Sequence, residues 1–190
     1  VLPGAVYIEA KIEGPGAVRQ QGNIRRLVFG EADGSNTARA SVIADMLQQA
    51  GMPVEVSGDV LKALWTKWLF IVTLAGVTTA SRASLAELLS TDGGRDLVVQ
   101  VLHEIEAVGR KRGVNLDVDV VERTLRYMDN EARYLKASMH TDLELGRPLE
   151  LEAMNGTVVR LGREVGVPTP ANETVYRLLK VHDLKHRGLL

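Results

Sequence analysis

The chain of 190 residues contains no cysteine. Disulfides, thiolate nucleophiles and Cys-ligated zinc or iron–sulfur centres are excluded by that absence alone. It agrees with a reducing compartment, and a cytoplasmic location is the expectation. An excess of either charge is also missing: 23 Lys and Arg stand against 24 Asp and Glu, a net charge of −1. Neither nucleic acid nor an anionic membrane surface is therefore an expected partner. The uncharged run Trp68–Ala80 is the most apolar of the chain. It is shorter than the roughly 20 residues that a bilayer span needs. There is no internal repeat, no low-complexity stretch and no initiator Met. The sequence enters directly into strand-like residues, "VLPGAVYIEAKIEGPGAV", so the expectation is a piece of a longer protein.

Several catalytic signatures are missing as well. No Gly-x-Gly-x-x-Gly joins a strand to a helix, and the "GPG" at Gly14–Gly16 lacks both the third glycine and the helix. There is no P-loop, no His-Glu-x-x-His and no Gly-x-Ser-x-Gly. His182 and His186 have the spacing of two ligands on one helix face, but they stand in a charged terminal segment, which reads as a solvated, fraying end. His103 lies off the apolar stripe of its helix.

What is present is a short β region followed by helices. "AVYIEAKI" alternates apolar and polar residues, and "AVRQQG" and "RRLVFGE" continue in extended runs. Two or three antiparallel strands are expected over residues 1–33, and a helical domain of six or seven helices over 34–190. Ala38, Val42, Met46 and Ala50 form the first helical stripe. Ser57 is placed to cap the long apolar helix that starts near Asp59. A short "SLAELLS" segment follows. The next helix opens at Thr91–Asp92 with Leu97, Val101, Ile105 and Val108 on one face. Asp117 is placed to cap a helix with Val121, Thr124, Leu125 and Met128 inward. Leu151, Met154, Val158, Leu161 and Val165 have the spacing of one further stripe. Thr169–Pro170 starts the last helix, with Val175, Leu178 and Leu179 as core positions.

Within "ALWTKWLFIVTLAGVTTA" stands one charge, Lys67, between Trp65 and Trp68, the two tryptophans of the chain. On a helix it shares a face with Leu64, Ile71 and, less closely, Ala75. Two readings are open. The stem can lie on apolar surface with the ammonium in water. Alternatively, the ammonium can point into a cleft and give a proton to a developing alkoxide. A second polar cluster, "ASMHTDLELGRPLELEAMNG", holds Ser138, Asp142 and Glu150. Glu150 stands near the start of the stripe at Leu151, where a capping or first-turn acid is favoured. Ser138 and Asn155 fit ordinary capping or helix-surface positions.

"LWTKWLFIVTLAGVTTASRASLAELL", with "ASMHTDLELGRPLELEAMNGTVVRLGREVGVPTPANETVYRLLK" downstream, resembles the C-terminal domain of the ketopantoate reductases (2-dehydropantoate 2-reductases). The opening strands are similar to those that end the family's N-terminal NADP-binding domain. The resemblance implies a mainly α fold, a multi-helix domain of the 6-phosphogluconate dehydrogenase C-terminal-like type behind a small antiparallel β ribbon. It implies an NADP-dependent oxidoreductase acting on a small 2-keto acid, with the cofactor bound mainly by an N-terminal Rossmann domain that these residues lack. It further implies that the chain alone is inactive, and that a homodimer forms through the helical domain.

Residue by residue, it implies Lys67 as the proton donor to the keto oxygen, Glu150 as the acid acting with it, and Ser138 as a ligand of the substrate carboxylate. Ile71 and Ala75 are the substrate-pocket positions where the family pattern has asparagines, four and eight residues after the lysine. Leu85 and Leu135 replace two more. With apolar groups in place of amides, a substrate less polar than ketopantoate is expected. The reading from a different class is a helical interaction or dimerisation module without chemistry of its own. A Gly-x-Gly-x-x-Gly unit encoded upstream separates the two.

Overall fold

Alternating residues from Gly4 onward do form a strand, but a longer one than the sequence pattern marks. The computed structural model describes residues 1–131 and 135–190. Strand β1 (Gly4–Gly14) turns at Pro15–Gly16 into β2 (Ala17–Phe29), and the two pair antiparallel. The register runs from Gly4 opposite Phe29 to Gly14 opposite Ala17. It slips between Ile8, which faces Arg25, and Glu9, which faces Gln21. Gly22 lies inside the slip at φ 66°, a backbone conformation that a glycine adopts without steric cost. A third strand, β3 (Val54–Val56), pairs parallel to the end of β2. Parallel pairing needs a crossover between the strands, and helix α1 (Ala38–Gln49) supplies it.

By compactness the chain divides into two units, Val1–Lys67 and Trp68–Leu190. In the first unit, α1 buries Ala40 and Ala44 with Phe29, and Leu2, Leu27, Leu47 and Val54 pack around them. The stripe expected of α1 is therefore out of phase, because Val42 and Met46 are exposed. Alanines let the helix approach the sheet closely, and that contact outweighs the size of the other face's side chains.

Helix α2 (Val60–Ser81) begins in the first unit and ends in the second. Asp59 rather than Ser57 caps it: the Lys62 N–H donates to Asp59 Oδ1 at 3.0 Å, while Ser57 Oγ accepts from the Asp59 N–H at 3.1 Å. With 22 residues, α2 is long and apolar enough to cross a membrane, although the uncharged run within it is shorter. Its residues from Leu69 to Thr79 are largely core, with Leu69, Val72, Thr73, Val77, Thr78 and Thr79 fully buried.

The second unit is helical. Helix α3 (Leu85–Leu89) carries a reciprocal cap between Ser84 and Glu87. Helix α4 (Asp92–Lys111) opens on Thr91 and packs against α3, α5 (Val120–Asn130), α7 (Asn155–Val165) and α8 (Pro170–His186). It buries Val98, Val101, Leu102, Ile105 and Val108. Asp119 stands at the start of α5, and Asp117 ion-pairs with Arg123 at 2.7 Å.

Helix α6 (Ser138–Glu144) brings the helices among the described residues to eight. Leu151 is fully buried but lies in a turn; α7 starts only at Asn155, so the expected stripe is half turn and half helix. Helix α8 extends through His186, and Leu178 is 59% exposed rather than core.

Candidate active site

Lys67 ends the first unit, and its surroundings there come from β1. The side chain is half-buried. Its ammonium donates to the Val6 carbonyl and lies 5.2 Å from the centre of the Tyr7 ring. The Arg26 guanidinium approaches the same ring at 5.7 Å and ion-pairs with Glu55. A strand exposes alternate residues, so Val6 offers its carbonyl while Tyr7 offers its ring face. Burial holds the Lys67 ammonium below the ordinary lysine range. Burial raises the Tyr7 hydroxyl, and the Arg26 charge opposes that rise. Among the described residues Lys67 has no carboxylate partner. Its environment matches neither a fully solvated lysine nor a salt-bridged one.

The remaining predicted residues belong to the second unit. Ile71 is half-buried and Ala75 is 4% exposed on α2. Ser138 is the first residue of α6 and is exposed. Glu150 is exposed as well, and precedes α7 by a full turn rather than sitting in its first turn. Its backbone carbonyl accepts from the N–H groups of Ala153 and Met154 at 3.1 Å, which opens that turn. Its carboxylate makes no hydrogen bond or ion pair among the described residues. Leu85 is fully buried in the core, and Leu135 is half-buried.

Asn155, expected as a capping or helix-surface residue, is the first residue of α7 and is fully buried. Its Nδ2 donates to Asn172 Oδ1 at 3.0 Å, and Asn172 Nδ2 donates to Glu104 Oε2 at 2.7 Å. Glu104 also accepts the Ala171 and Asn172 N–H groups at 2.7 and 2.9 Å, capping α8 from α4. Asn155 lies so close to α2 that a Cβ at Gly76 would stand 2.6 Å from its Oδ1. Sequence reasoning does not single out this chain of amides, nor Tyr7. An aromatic on an alternating strand was the available signal for Tyr7; nothing local marks Asn155.

His103 lies on the surface, 3.2 Å from Glu106. His182 and His186 stand with ring centres 6.5 Å apart, and His186 Nδ1 is 2.8 Å from the Arg147 carbonyl oxygen. No metal-binding group of side chains occurs among the described residues. The Gly14–Gly16 turn leads into β2 and offers no helix N-terminus for a pyrophosphate.

The family described as ketopantoate reductase PanE/ApbA C terminal matches residues 59–183, from the cap of α2 to the last turns of α8. The chain belongs to that family. It is 31% identical over 183 residues to the uncharacterized oxidoreductase YkpB of Bacillus subtilis (strain 168), covering 96% of this chain and 60% of that protein. Among solved structures, the PanE/ApbA family ketopantoate reductase from Ralstonia eutropha JMP134 superposes with a TM-score of 0.87 at 29% identity. That match covers 98% of this chain and 60% of the other. D-mandelate dehydrogenase in complex with NADH superposes with a TM-score of 0.85 at 25% identity, over 100% of this chain and 63% of the other. The chain thus spans about 60% of the length of these relatives. Its helical domain is that of the ketopantoate reductases, and its relatives are oxidoreductases.

Proposed function

We propose that this chain supplies the substrate and proton-donor half of a 2-keto acid reductase, with Lys67 as the acid. The observation that carries the reading is the state of the Lys67 ammonium: half-buried, lowered in pKa by burial, and bonded to a backbone carbonyl instead of a carboxylate. Such a group exchanges one neutral acceptor for another at small cost, and it binds more strongly as that acceptor gains negative charge. In the reaction R–CO–COO⁻ + hydride + H⁺ → R–CHOH–COO⁻, a C–H bond forms at the keto carbon and the oxygen takes its proton from the ammonium. The amine left behind regains a proton from solvent. A nicotinamide supplies the hydride when bound. NADPH is the cofactor proposed, held mainly by an N-terminal Rossmann domain, and the 190-residue chain alone turns nothing over. Glu150, exposed with an unengaged carboxylate, acts with Lys67. Ser138 meets the substrate carboxylate.

The substrate proposed is less polar than ketopantoate. Ile71 and Ala75 offer no hydrogen bond, and a hydroxyl left without a partner in a closed site weakens binding severely. The likeness to D-mandelate dehydrogenase supports this reading, since mandelate carries a phenyl ring where pantoate carries a hydroxylated chain. The test is a panel of ketopantoate, 4-methyl-2-oxopentanoate and phenylglyoxylate with NADPH and the complete enzyme. Higher kcat/KM for the apolar acids is expected. Fastest turnover of ketopantoate would refute the proposed substrate class without touching the role of Lys67.

A further inference from the structure

In the second unit a cavity of about 130 Å³ opens where the end of α2 meets α6 and α8. Leu143, Leu178 and Leu179 form its apolar walls, and Thr79, Arg82 and His182 supply polar groups. Three features of these groups stand out. Thr79 is fully buried, and its hydroxyl has no hydrogen-bond partner. The other hydroxyls of this helix segment, on Thr73, Thr78 and Ser81, all donate to the carbonyl four residues back. Arg82 is the non-glycine residue with positive φ among the described residues, at 55°. A residue with a Cβ is strained there, and glycine is the usual choice just past a helix end. The Arg82 guanidinium makes no hydrogen bond or ion pair among the described residues.

The acids on the elements around the cavity are all paired. Helix α2 has no acid. On α6, Asp142 faces Arg147 at 3.6 Å, and Glu144 is held by Lys136 with His140 at 3.4 Å. On α8, Glu173 pairs with Arg163 and Arg177, and Asp183 pairs with Arg187. Every acid of the lining elements has its cation, and of the cations left without an acid among the described residues, Lys67, Arg82 and Lys185, Arg82 lines the cavity. Burial holds both His140 and His182 below the usual histidine range, helped at His140 by the Lys136 charge and, less, by Arg82, and at His182 by the Arg82 and Lys185 charges. His140 Nδ1 is itself buried and unpartnered. A surplus cation, an orphan hydroxyl and a leucine wall describe the two ends of an amphiphilic acid.

We infer that this cavity binds a short, branched carboxylate, with its carboxyl group on Arg82 and Thr79 and its methyl groups against Leu143, Leu178 and Leu179. An apolar cavity of about 150 Å³ accommodates benzene, so the guest has roughly six non-hydrogen atoms, the size of isobutyrate. The site lies twelve residues beyond Lys67 along the sequence and needs none of the chemistry proposed there.

Isothermal titration of the 190-residue chain with isobutyrate, isobutyramide and inorganic phosphate tests it. Isobutyrate is expected to saturate with a Kd on the order of 1 mM, with the neutral amide and phosphate each about tenfold weaker or worse. Arg82→Gly removes the cation and the positive-φ strain together. It should weaken isobutyrate about tenfold without lowering the thermal midpoint, so loss of binding there is not loss of fold. Lys67→Met should retain full binding. The inference is overturned by non-saturable isobutyrate binding, by equal binding of the amide, by tighter phosphate, by unchanged affinity in Arg82→Gly, or by loss of binding in Lys67→Met.

Discussion

A half-buried cation bonded to a main-chain carbonyl behaves differently from one locked in a salt bridge, and Lys67 is of the first kind. Its pKa is lowered in the fold, so the unfolded chain binds the extra proton more readily. Stability therefore rises with pH through the window between the folded and the ordinary lysine values. The acid form that the proposed proton donation needs is lost over that same window.

Glu31 shows the opposite sign. Its carboxylate accepts from Arg39 Nε and the Thr37 hydroxyl, both at 2.6 Å, and these bonds, Arg39's foremost, hold its pKa at about 2. The stability it contributes is complete above the ordinary glutamate range and is lost as pH falls toward about 2. Glu31→Gln should flatten the acid limb of a denaturation-midpoint-against-pH curve. An unchanged limb would mean that this cluster does not hold in solution.

At the scale of elements, close approach rather than residue size decides several packings. Helix α2 can accept Asn155 beside it because position 76 is glycine. Gly76→Ala gains about 1 kcal/mol of helix propensity but forces a Cβ to within 2.7 Å of both amide atoms of a fully buried, hydrogen-bonded side chain. Overpacking of that kind costs roughly 1–3 kcal/mol. A lowered denaturant midpoint is expected, and a raised one would show that Asn155 moves freely.

Much of the helical order was legible, because Thr91, Ser84 and Thr169–Pro170 are local signals that need no partner. The phase of α1 was not legible, since alanine against Phe29 is favoured only once the sheet exists. The parallel pairing of β3 with β2 depends on residues far apart in sequence. The start of α7 was misread because Leu151 is buried from a turn, which keeps the helical spacing without the helix. At the site, Lys67 was visible as a lone charge in an apolar run. Its partners Val6 and Tyr7 were not, because a strand sixty residues earlier supplies them.

At the scale of the whole molecule, the chain is two compact units joined by one helix, and it corresponds to about 60% of the length of its relatives. Carbonyl reduction needs a hydride donor and a proton donor at one carbon, and only the second is proposed among these residues. The role of Lys67 is therefore to be measured in the complete enzyme, with kcat and KM separated. For Lys67→Met on the best substrate of the panel, the account predicts a fall in kcat of roughly 10²–10⁴ with KM changed by only a few fold. In the unaltered enzyme, rate should decline on the alkaline side below the ordinary lysine range. A Lys67→Met enzyme that kept kcat within a few fold of the original would contradict the account.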